Sequence, residues 1–299
     1  MNTLTREDIL LQAATRFVCY PLSRVQTIQQ SGVLGVEGGI FQAVLRVAAC
    51  KQPSSDGAQK DHDDENDLKH SKQKRLIAAL KKINFSSFWK GFDAHILAIL
   101  IRLSKIAPRI RSAIFSKLNN STYLPIIFDP LFTYPFEMAR VKLASDMSPQ
   151  NRNVIQVLSK VIDNTGLAGL FRGYHLHILG IALHQVAYFT GYSLLGSIVP
   201  VKKDSFMGAL VVSNIASTFS SLFTYPIVTV MRRLQLEAAE DEQKTSSQGT
   251  IQTVKNIIQN EGITALYSGF PLLVCHSTLA PLTLMFLDMA YDYISKKFK

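Results

Sequence analysis

Charged side chains interrupt the apolar stretches in the first half of the chain, and each needs a physical reason to be there. One such stretch, residues 92–118, carries several basic residues, among them Arg102, Lys105, Arg109 and Arg111. The next stretch carries Asp129 and Glu137. Charges at membrane depth face a wet cavity, extend to the interface or pair inside a helix bundle. The chemistry indicated is therefore the binding or pairing of charges, and no pattern indicates an enzyme.

Metal and redox chemistry are not favoured by the residues that could support them. Five histidines lie in apolar segments without the pairing typical of metal ligands: His95, His175, His177, His184 and His276. The three cysteines form no CxxC pair. The acidic run 61–67 has no glycine at the sixth position of a calcium loop and no acid at the twelfth. We therefore expect neither a metal nor a cofactor.

Three stretches in the second half of the chain contain no Asp, Glu, Lys or Arg. They cover residues 173–201, 205–231 and 262–287. Each exceeds the roughly 20 residues that an α-helix needs to cross a bilayer core. Buried helices of a soluble protein are the alternative, but soluble helices usually carry a charged face. The sequence therefore predicts helices that span a membrane.

The net charge of +10 suits a membrane surface better than a nucleic acid. Basic residues flank the apolar stretches, among them Lys202, Lys203, Arg232, Arg233, Lys296 and Lys297. This placement is typical of contacts with anionic lipid head groups, and we expect Arg232 and Arg233 to extend to the interface. The basic residues do not gather in one patch with aromatic side chains, so no nucleic-acid partner is predicted.

One short phrase occurs three times along the chain. It reads CYPLSRVQ, TYPFEMARVKL and TYPIVTVMRRL around Pro21, Pro135 and Pro226. A second landmark follows each phrase: Trp89-Lys90-Gly91, Phe171-Arg172-Gly173 and Tyr267-Ser268-Gly269. Such self-similarity is the signature of a repeat architecture. We predict three units, 1–118, 119–199 and 200–299, each with two apolar helices.

The segments between the two landmarks differ in length. Residues 153–161 and 251–258 place apolar side chains at helical spacing and are predicted to lie along the membrane surface. The first unit instead contains a charged insertion, 51–75. We expect a solvated loop there, and a loop that docks on a partner is the alternative.

The repeated proline phrase, followed by Gly-x4-aromatic-base-Gly, resembles the mitochondrial carrier family. Residues 134–146, 180–189 and 229–236 are similar to the ADP/ATP carriers within that family. The resemblance implies an all-α membrane protein, in which three tandem two-helix repeats form a six-transmembrane-helix pseudo-threefold barrel with short matrix-side surface helices. It also implies a multi-pass protein of the mitochondrial inner membrane, with termini toward the intermembrane space and the 51–75 loop in the matrix.

In that family an acid and a base after each proline form salt bridges between repeats, which close the matrix side of the cavity. Here the acid positions hold Ser23, Glu137 and Val228, and the base positions hold Gln26, Arg140 and Met231. The residual gate motif is Pro21, Pro135, Glu137, Arg140 and Pro226. Because only the second repeat keeps both charges, no ion pair between repeats can form at these positions. Arg24 or Arg232 could supply a different lock.

The resemblance also implies a substrate cavity and lipid sites. The cavity residues would be Arg16, Arg102, Gly180, Ile181, His184, Tyr188 and His276. Ala98 and His276 stand where ADP/ATP carriers have arginine, and Arg102 could partly substitute one turn away from Ala98. Cardiolipin would bind near helix N-termini at Trp89, Lys90, Gly91, Gly166, Phe171, Arg172, Gly173, Gly262, Tyr267 and Gly269.

Two functions remain open at this point. The first is a carrier that has lost transport and serves as a structural or accessory subunit of a larger inner-membrane complex of the respiratory-chain type, with other membrane-protein subunits as partners. The second is a working carrier that exchanges adenine nucleotides or another anion through a rewired gate. The loss of the motif charges favours the first, and the residual cavity residues favour the second.

Overall fold

The computed structural model describes residues 6–32, 43–44, 47, 88–103, 109–110, 113–114, 124–146, 153–198, 206–237 and 249–297. The insertion 51–75 lies outside the described residues. The elements within them are helical: α1 Arg6–Ser31, α2 Phe92–Leu103, α3 Leu124–Ser145, α4 Val154–Gly169, α5 Tyr174–Ile198, α6 Phe206–Glu237, α7 Thr250–Asn260, a 3₁₀ turn Ile263–Tyr267, and α8 Phe270–Lys297. The prediction of an all-helical protein agrees with this part of the chain.

Three helices in the described residues are long and apolar enough to cross a membrane. They are Tyr174–Ile198, Gly208–Glu237 and Ile263–Tyr291. Each span overlaps one of the three charge-free stretches of the sequence. The prediction that these stretches form helices able to span a membrane is therefore confirmed by length and composition. The shorter helix Phe92–Ile101 is apolar, but its described length is below that of a bilayer span.

The described helices pack around a ring. Helix α1 packs against α2 and α8, α3 against α2 and α5, and α6 against α5 and α8. Helices α1, α3 and α6 also contact one another, and they are the helices that contain Pro21, Pro135 and Pro226. Proline removes a backbone hydrogen bond and bends a helix. The buried side chains of these helices lie mainly around and after the prolines, so the three helices converge at one end of the ring.

The two amphipathic segments form the helices that their spacing predicts. Helix α4 buries Val154, Val157 and Val161, and α7 buries Thr253 and Ile257. Val154 and Val157 pack with Ala94, Ala139 and Leu143, whereas Ile257 packs with Tyr134, Leu234 and Ala265. Each short helix therefore covers the end of a proline helix.

The repeated tyrosine before each proline makes the same contact in all three places. The hydroxyls of Tyr20, Tyr134 and Tyr225 donate to the carbonyls of Lys90, Arg172 and Ser268, at 3.1, 2.7 and 2.7 Å. Each carbonyl precedes a glycine whose φ is between +83° and +88°. The glycine is required because L-residues rarely adopt this conformation and because the hydroxyl lies beneath it. The two sequence landmarks of each unit are thus one hydrogen-bonded junction.

Gly173→Ala is expected to lower the free energy of unfolding by about 1–2 kcal/mol, the usual cost of a left-handed L-residue. An added Cβ would also lie 3.1 Å from the hydroxyl oxygen of Tyr134. Thermal unfolding in mild detergent would measure the effect. Gly249→Ala is the control, because Gly249 has φ −66° and no atom within 4 Å of an added Cβ. Equal melting temperatures for the two variants would contradict the role assigned to the junction.

Candidate functional site

Two adjoining cavities lie between the described helices. The first has a volume of about 480 Å³ and lies among α1, α2, α3 and α8. The second has a volume of about 390 Å³ and lies mainly among α3, α5 and α6. Glu137 and Arg140 line both. The residual charged motif of the sequence therefore stands between the two cavities, near the centre of the ring.

Five of the seven predicted substrate residues line these cavities. Arg16 and His276 line the first, and Gly180, Ile181 and His184 line the second. His184 is also a packing residue, since the buried Ser220 lies 2.8 Å from its Nδ1 and donates to its carbonyl at 2.6 Å. These positions are consistent with a shared binding region, and substrate contact itself stays a prediction.

The other two predicted residues do not join them. Tyr188 lies in a separate small groove between α5 and α6 with Phe189, Tyr192 and Ser213. Tyr188 faces α6 in this groove, and its contact with a substrate stays a prediction. Arg102 lies in α2, but its side chain is outside the described residues.

A chain of polar contacts crosses the first cavity from α1 to α3. Arg16 Nη1 lies 3.0 Å from His95 Nε2, and His95 Nδ1 lies 3.9 Å from Glu137 Oε1. Glu137 Oε2 accepts from Arg140 Nε at 2.8 Å, and Arg140 Nη1 lies 3.5 Å from Ser23 Oγ. The ion pair at the motif positions is thus within one helix. This agrees with the prediction that the motif residues form no ion pair between repeats.

Sequence reasoning did not select His95 as a binding residue. A signal was available, because His95 and His177 each stand four residues after a landmark glycine. Both backbone amides bond the glycine carbonyl, and both rings lie near the tyrosine of the junction. Recurrence at equivalent positions would have placed both rings on the inner side of their helices.

Fixed positive charge exceeds negative charge around the two cavities. Arg16, Arg140 and Arg232 line them, and Glu137 is the carboxylate among their lining residues. A concave site with one sign of charge and low-dielectric walls concentrates ions of the opposite sign. The described site is therefore suited to an anion.

A buried polar layer closes the end where the proline helices converge. We define it as Arg24, Thr27, Gln30, Arg140 and Gln235, which are all at most 8% exposed. Arg24 Nε donates to the carbonyl of Ala144 at 3.1 Å, so this contact joins α1 to α3. The layer is built from guanidinium, amide and hydroxyl groups in place of the expected ion pairs.

Arg232 completes this layer instead of extending to the interface. Its guanidinium bonds Gln30 Oε1 and lies 3.4 Å from Thr27 Oγ1, so it joins α6 to α1. The prediction that Arg232 and Arg233 extend to lipid was wrong, because both side chains have stronger acceptors within the bundle. Arg24 and Arg232 therefore form contacts between helices of the kind that the sequence offered as an alternative to the motif ion pairs.

Charged contacts lie at the ends of the proline helices, and two of them join a landmark of one unit to the proline helix of the next. Lys90 lies 3.6 Å from the carboxylate of Asp146, and Arg172 lies 2.9 Å from that of Glu237. Each acid stands eleven residues after its proline. The third equivalent pair would be Ser268 and Gly32, which carry no charge. Where α6 meets α1, Arg233 instead donates to Glu261 at 2.7 and 2.8 Å and to the carbonyl of Gln30 at 2.7 Å.

These contacts involve two of the expected lipid-binding residues. Lys90 and Arg172 each contact a carboxylate, and their binding of a lipid phosphate stays a prediction. Gly166 and Gly262 differ, because both have positive φ and no atom within 4 Å of an added Cβ. The open space beside these two glycines leaves room for a phosphate near the helix N-termini that follow them. Cardiolipin binding at the predicted residues stays a prediction.

Ser23→Asp is expected to raise the melting temperature by about 1–2 °C, the shift that about 1 kcal/mol produces at roughly 2.1 cal/mol/K of unfolding entropy per residue. The new carboxylate would stand where Ser23 Oγ is 3.5 Å from Arg140 Nη1, and it would form an ion pair between α1 and α3 at the motif positions. Thermal unfolding in detergent would measure the gain. Ser23→Asn, which has the same size without the charge, is the control. An equal effect of the two substitutions would contradict an electrostatic gain.

Comparison with known proteins identifies relatives for the second and third predicted units. The family model described as "Mitochondrial carrier protein" matches residues 126–201 and 202–298, which together exceed half of the chain. The chain is 26% identical over 168 residues to "ADP/ATP translocase 4" of Mus musculus, covering 54% of this chain and 52% of that protein. It is 28% identical over 166 residues to the Homo sapiens protein of the same name, with 54% and 52% covered.

A plant relative extends the comparison. "ADP,ATP carrier protein ER-ANT1" of Arabidopsis thaliana is 30% identical over 148 residues, which cover 46% of this chain and 47% of that protein. The chain spans about half the length of the curated relatives it matches.

Proposed function

Since the chain belongs to the mitochondrial carrier family, we propose that it is a working carrier of an anion across the mitochondrial inner membrane, with adenine nucleotides as the first candidates. The observation that carries this proposal is the pair of cavities with excess positive charge above a closed polar layer. The names of the ADP/ATP relatives support the choice of nucleotides.

Transport requires a gate that holds and then opens. The buried polar layer joins α1 to α3 through Arg24 and α1 to α6 through Arg232. Hydrogen bonds that involve a charged group contribute about 1.5–3 kcal/mol each. A few such bonds are strong enough to close one end and weak enough for the binding energy of a substrate to break them. The missing motif pairs therefore do not by themselves exclude transport.

The six-helix barrel of three repeats, the inner-membrane location and the termini in the intermembrane space belong to this proposal. They are supported by the family, by three membrane spans and by the ring of helix contacts. Cardiolipin is proposed as a bound lipid near Gly166 and Gly262, because backbone approach is unobstructed there.

The test is reconstitution of the full chain into liposomes that contain cardiolipin, followed by uptake of radiolabelled ADP, ATP and inorganic phosphate. We expect saturable uptake of at least one anion that depends on unlabelled anion inside. Liposomes that contain the Arg24→Leu, Arg232→Leu chain should instead leak, since both contacts of the polar layer are removed. Absence of uptake for all anions would overturn the proposal.

A structural subunit of a larger inner-membrane complex is the second candidate. The observation in its favour is the Glu137–Arg140 pair, which is confined to α3 and leaves the usual gate positions without an ion pair between helices. Gentle detergent extraction followed by native electrophoresis separates the two functions. Comigration with a large respiratory complex, together with no uptake in liposomes, would favour the subunit. Migration near 33.3 kDa together with anion uptake would favour the carrier.

A further inference from the structure

The ring of His95 lies between a cation and a carboxylate inside the first cavity. Its Nε2 is 3.0 Å from Arg16 Nη1, and its Nδ1 is 3.9 Å from Glu137 Oε1. The side chain is 14% exposed and that of Glu137 is 29% exposed. Both side chains line the first cavity and are partly open to it.

The Arg16 contact fixes the protonation state of this ring. A guanidinium group has N–H donors and no acceptor, so the imidazole nitrogen that faces it must accept. His95 is therefore neutral in this arrangement, with its proton on Nδ1 toward Glu137. A proton on Nε2 would place two N–H groups against each other and break the bond to Arg16. His95 thus binds either Arg16 or a second proton at Nε2.

We propose that Arg16, His95 and Glu137 couple the movement of the anion to the movement of a proton. This inference rests on the proposed function and adds the co-transported ion. An anion that enters the first cavity takes Arg16 as its ligand, and the Arg16–His95 bond is lost. The lone pair of Nε2 then takes a proton from cavity water. The resulting imidazolium keeps Nδ1 beside the Glu137 carboxylate and donates from Nε2 to the anion.

The proton balance of this step is simple. One N–H bond forms at Nε2, and one O–H bond of a hydronium ion breaks on the side from which the anion enters. No bond of the substrate changes. When the anion leaves on the other side, Arg16 returns to Nε2, and the proton is released to water there. Coupling between two binding sites is reciprocal. If protonation of His95 raises the affinity for the anion, the bound anion must raise the affinity of His95 for the proton by the same factor.

The charged and titratable groups around His95 come from three other helices. Helix α1 contributes Arg16 and Tyr20, α3 contributes Glu137 and Arg140, and His276 of α8 lines the same cavity. Asp93 lies on α2 itself and is exposed. Of these groups, Glu137 is the one placed at Nδ1. Its carboxylate, which Arg140 also contacts at 2.8 Å, is the negative charge next to the ring.

The test measures uptake of radiolabelled ATP and of inorganic phosphate by liposomes with and without a proton gradient, acidic outside by about one pH unit. Such a gradient can drive up to about tenfold accumulation of an ion that moves with one proton. We expect faster uptake with the gradient by several-fold. In His95→Gln the amide oxygen can still accept from Arg16 but cannot take a proton. The ratio of uptake with and without the gradient should fall to one in this variant.

Two further variants test whether the effect of the proton gradient depends on His95. His175→Gln is the matched control, since His175 is exposed, bonds Thr250 and does not line either cavity; its ratio should equal that of the unchanged chain. His276→Gln should also keep the ratio, whatever its rate. A gradient effect retained in His95→Gln would overturn the inference, since the substrate's own titration would then explain it. A ratio of one in the unchanged chain would overturn the inference and leave anion transport standing. No uptake under any condition would overturn the proposed function and this inference with it.

Discussion

Arg16→Gln is expected to lower the rate of anion uptake by about tenfold to a hundredfold at subsaturating substrate. A hydrogen bond between a charged donor and a charged acceptor contributes about 1.5–3 kcal/mol, and 1.4 kcal/mol is a factor of ten. Arg16 lies on the wall of the first cavity, and its Nη1 is 3.0 Å from His95. Its loss would also remove part of the positive field that draws an anion into the site.

The measurement is initial uptake of labelled ATP into liposomes at several substrate concentrations. Lys255→Gln is the control, because it removes one positive charge from the exposed face of α7, away from both cavities. The control should transport like the unchanged chain. Equal losses in the two variants would indicate an effect of net charge, and unchanged uptake in Arg16→Gln would remove Arg16 from the substrate site.

Arg233→Gln is expected to lower the free energy of unfolding by about 2–3 kcal/mol, the upper range for hydrogen bonds to a charged group. Arg233 makes two short bonds to Glu261 and one to the carbonyl of Gln30. Its side chain is 15% exposed and that of Glu261 is 25% exposed, so solvent screens the pair only in part. The guanidinium also fills the space above Gly32. The substitution would therefore loosen the seam between α6 and α1.

Thermal unfolding in detergent with the variants Arg233→Gln, Glu261→Gln and the double substitution would measure the coupling between the two side chains. We expect the double variant to be less destabilised than the sum of the single variants. Arg172→Gln is the comparison for a single charged contact, at 2.9 Å to Glu237, and it should cost less. Additive effects in the cycle would show that the Arg233–Glu261 pair does not hold the seam.

Much of the site could be anticipated because some properties depend on residue type alone. With Ser23, Gln26, Val228 and Met231 at the motif positions, no arrangement of helices could form the usual ion pairs between repeats. The resemblance to the ADP/ATP carriers implied that Arg16 and His276 face a cavity, and both line the same one. Their binding of a substrate stays a prediction.

Other parts of the site depend on how helices are rotated against one another. Tyr188 is apolar enough for either side of α5, and the packing of α5 on α6 places it in an outer groove. Arg232 could extend to lipid or turn inward. The acceptors Gln30 and Thr27 come from α1, about 200 positions earlier in the chain, so sequence spacing gives no information on this choice.

The sequence by itself determined that this protein is helical, that three stretches can cross a membrane, that one phrase recurs three times and that the usual gate charges are missing. These properties follow from composition and period, which need no partner element. Only the tertiary structure decided that Arg24 and Arg232 close the polar layer, that Lys90 and Arg172 pair with acids, and that His95 stands between Arg16 and Glu137. Each of these contacts joins residues that are distant in the chain, and a contact of that kind exists only once packing has fixed the direction of both side chains.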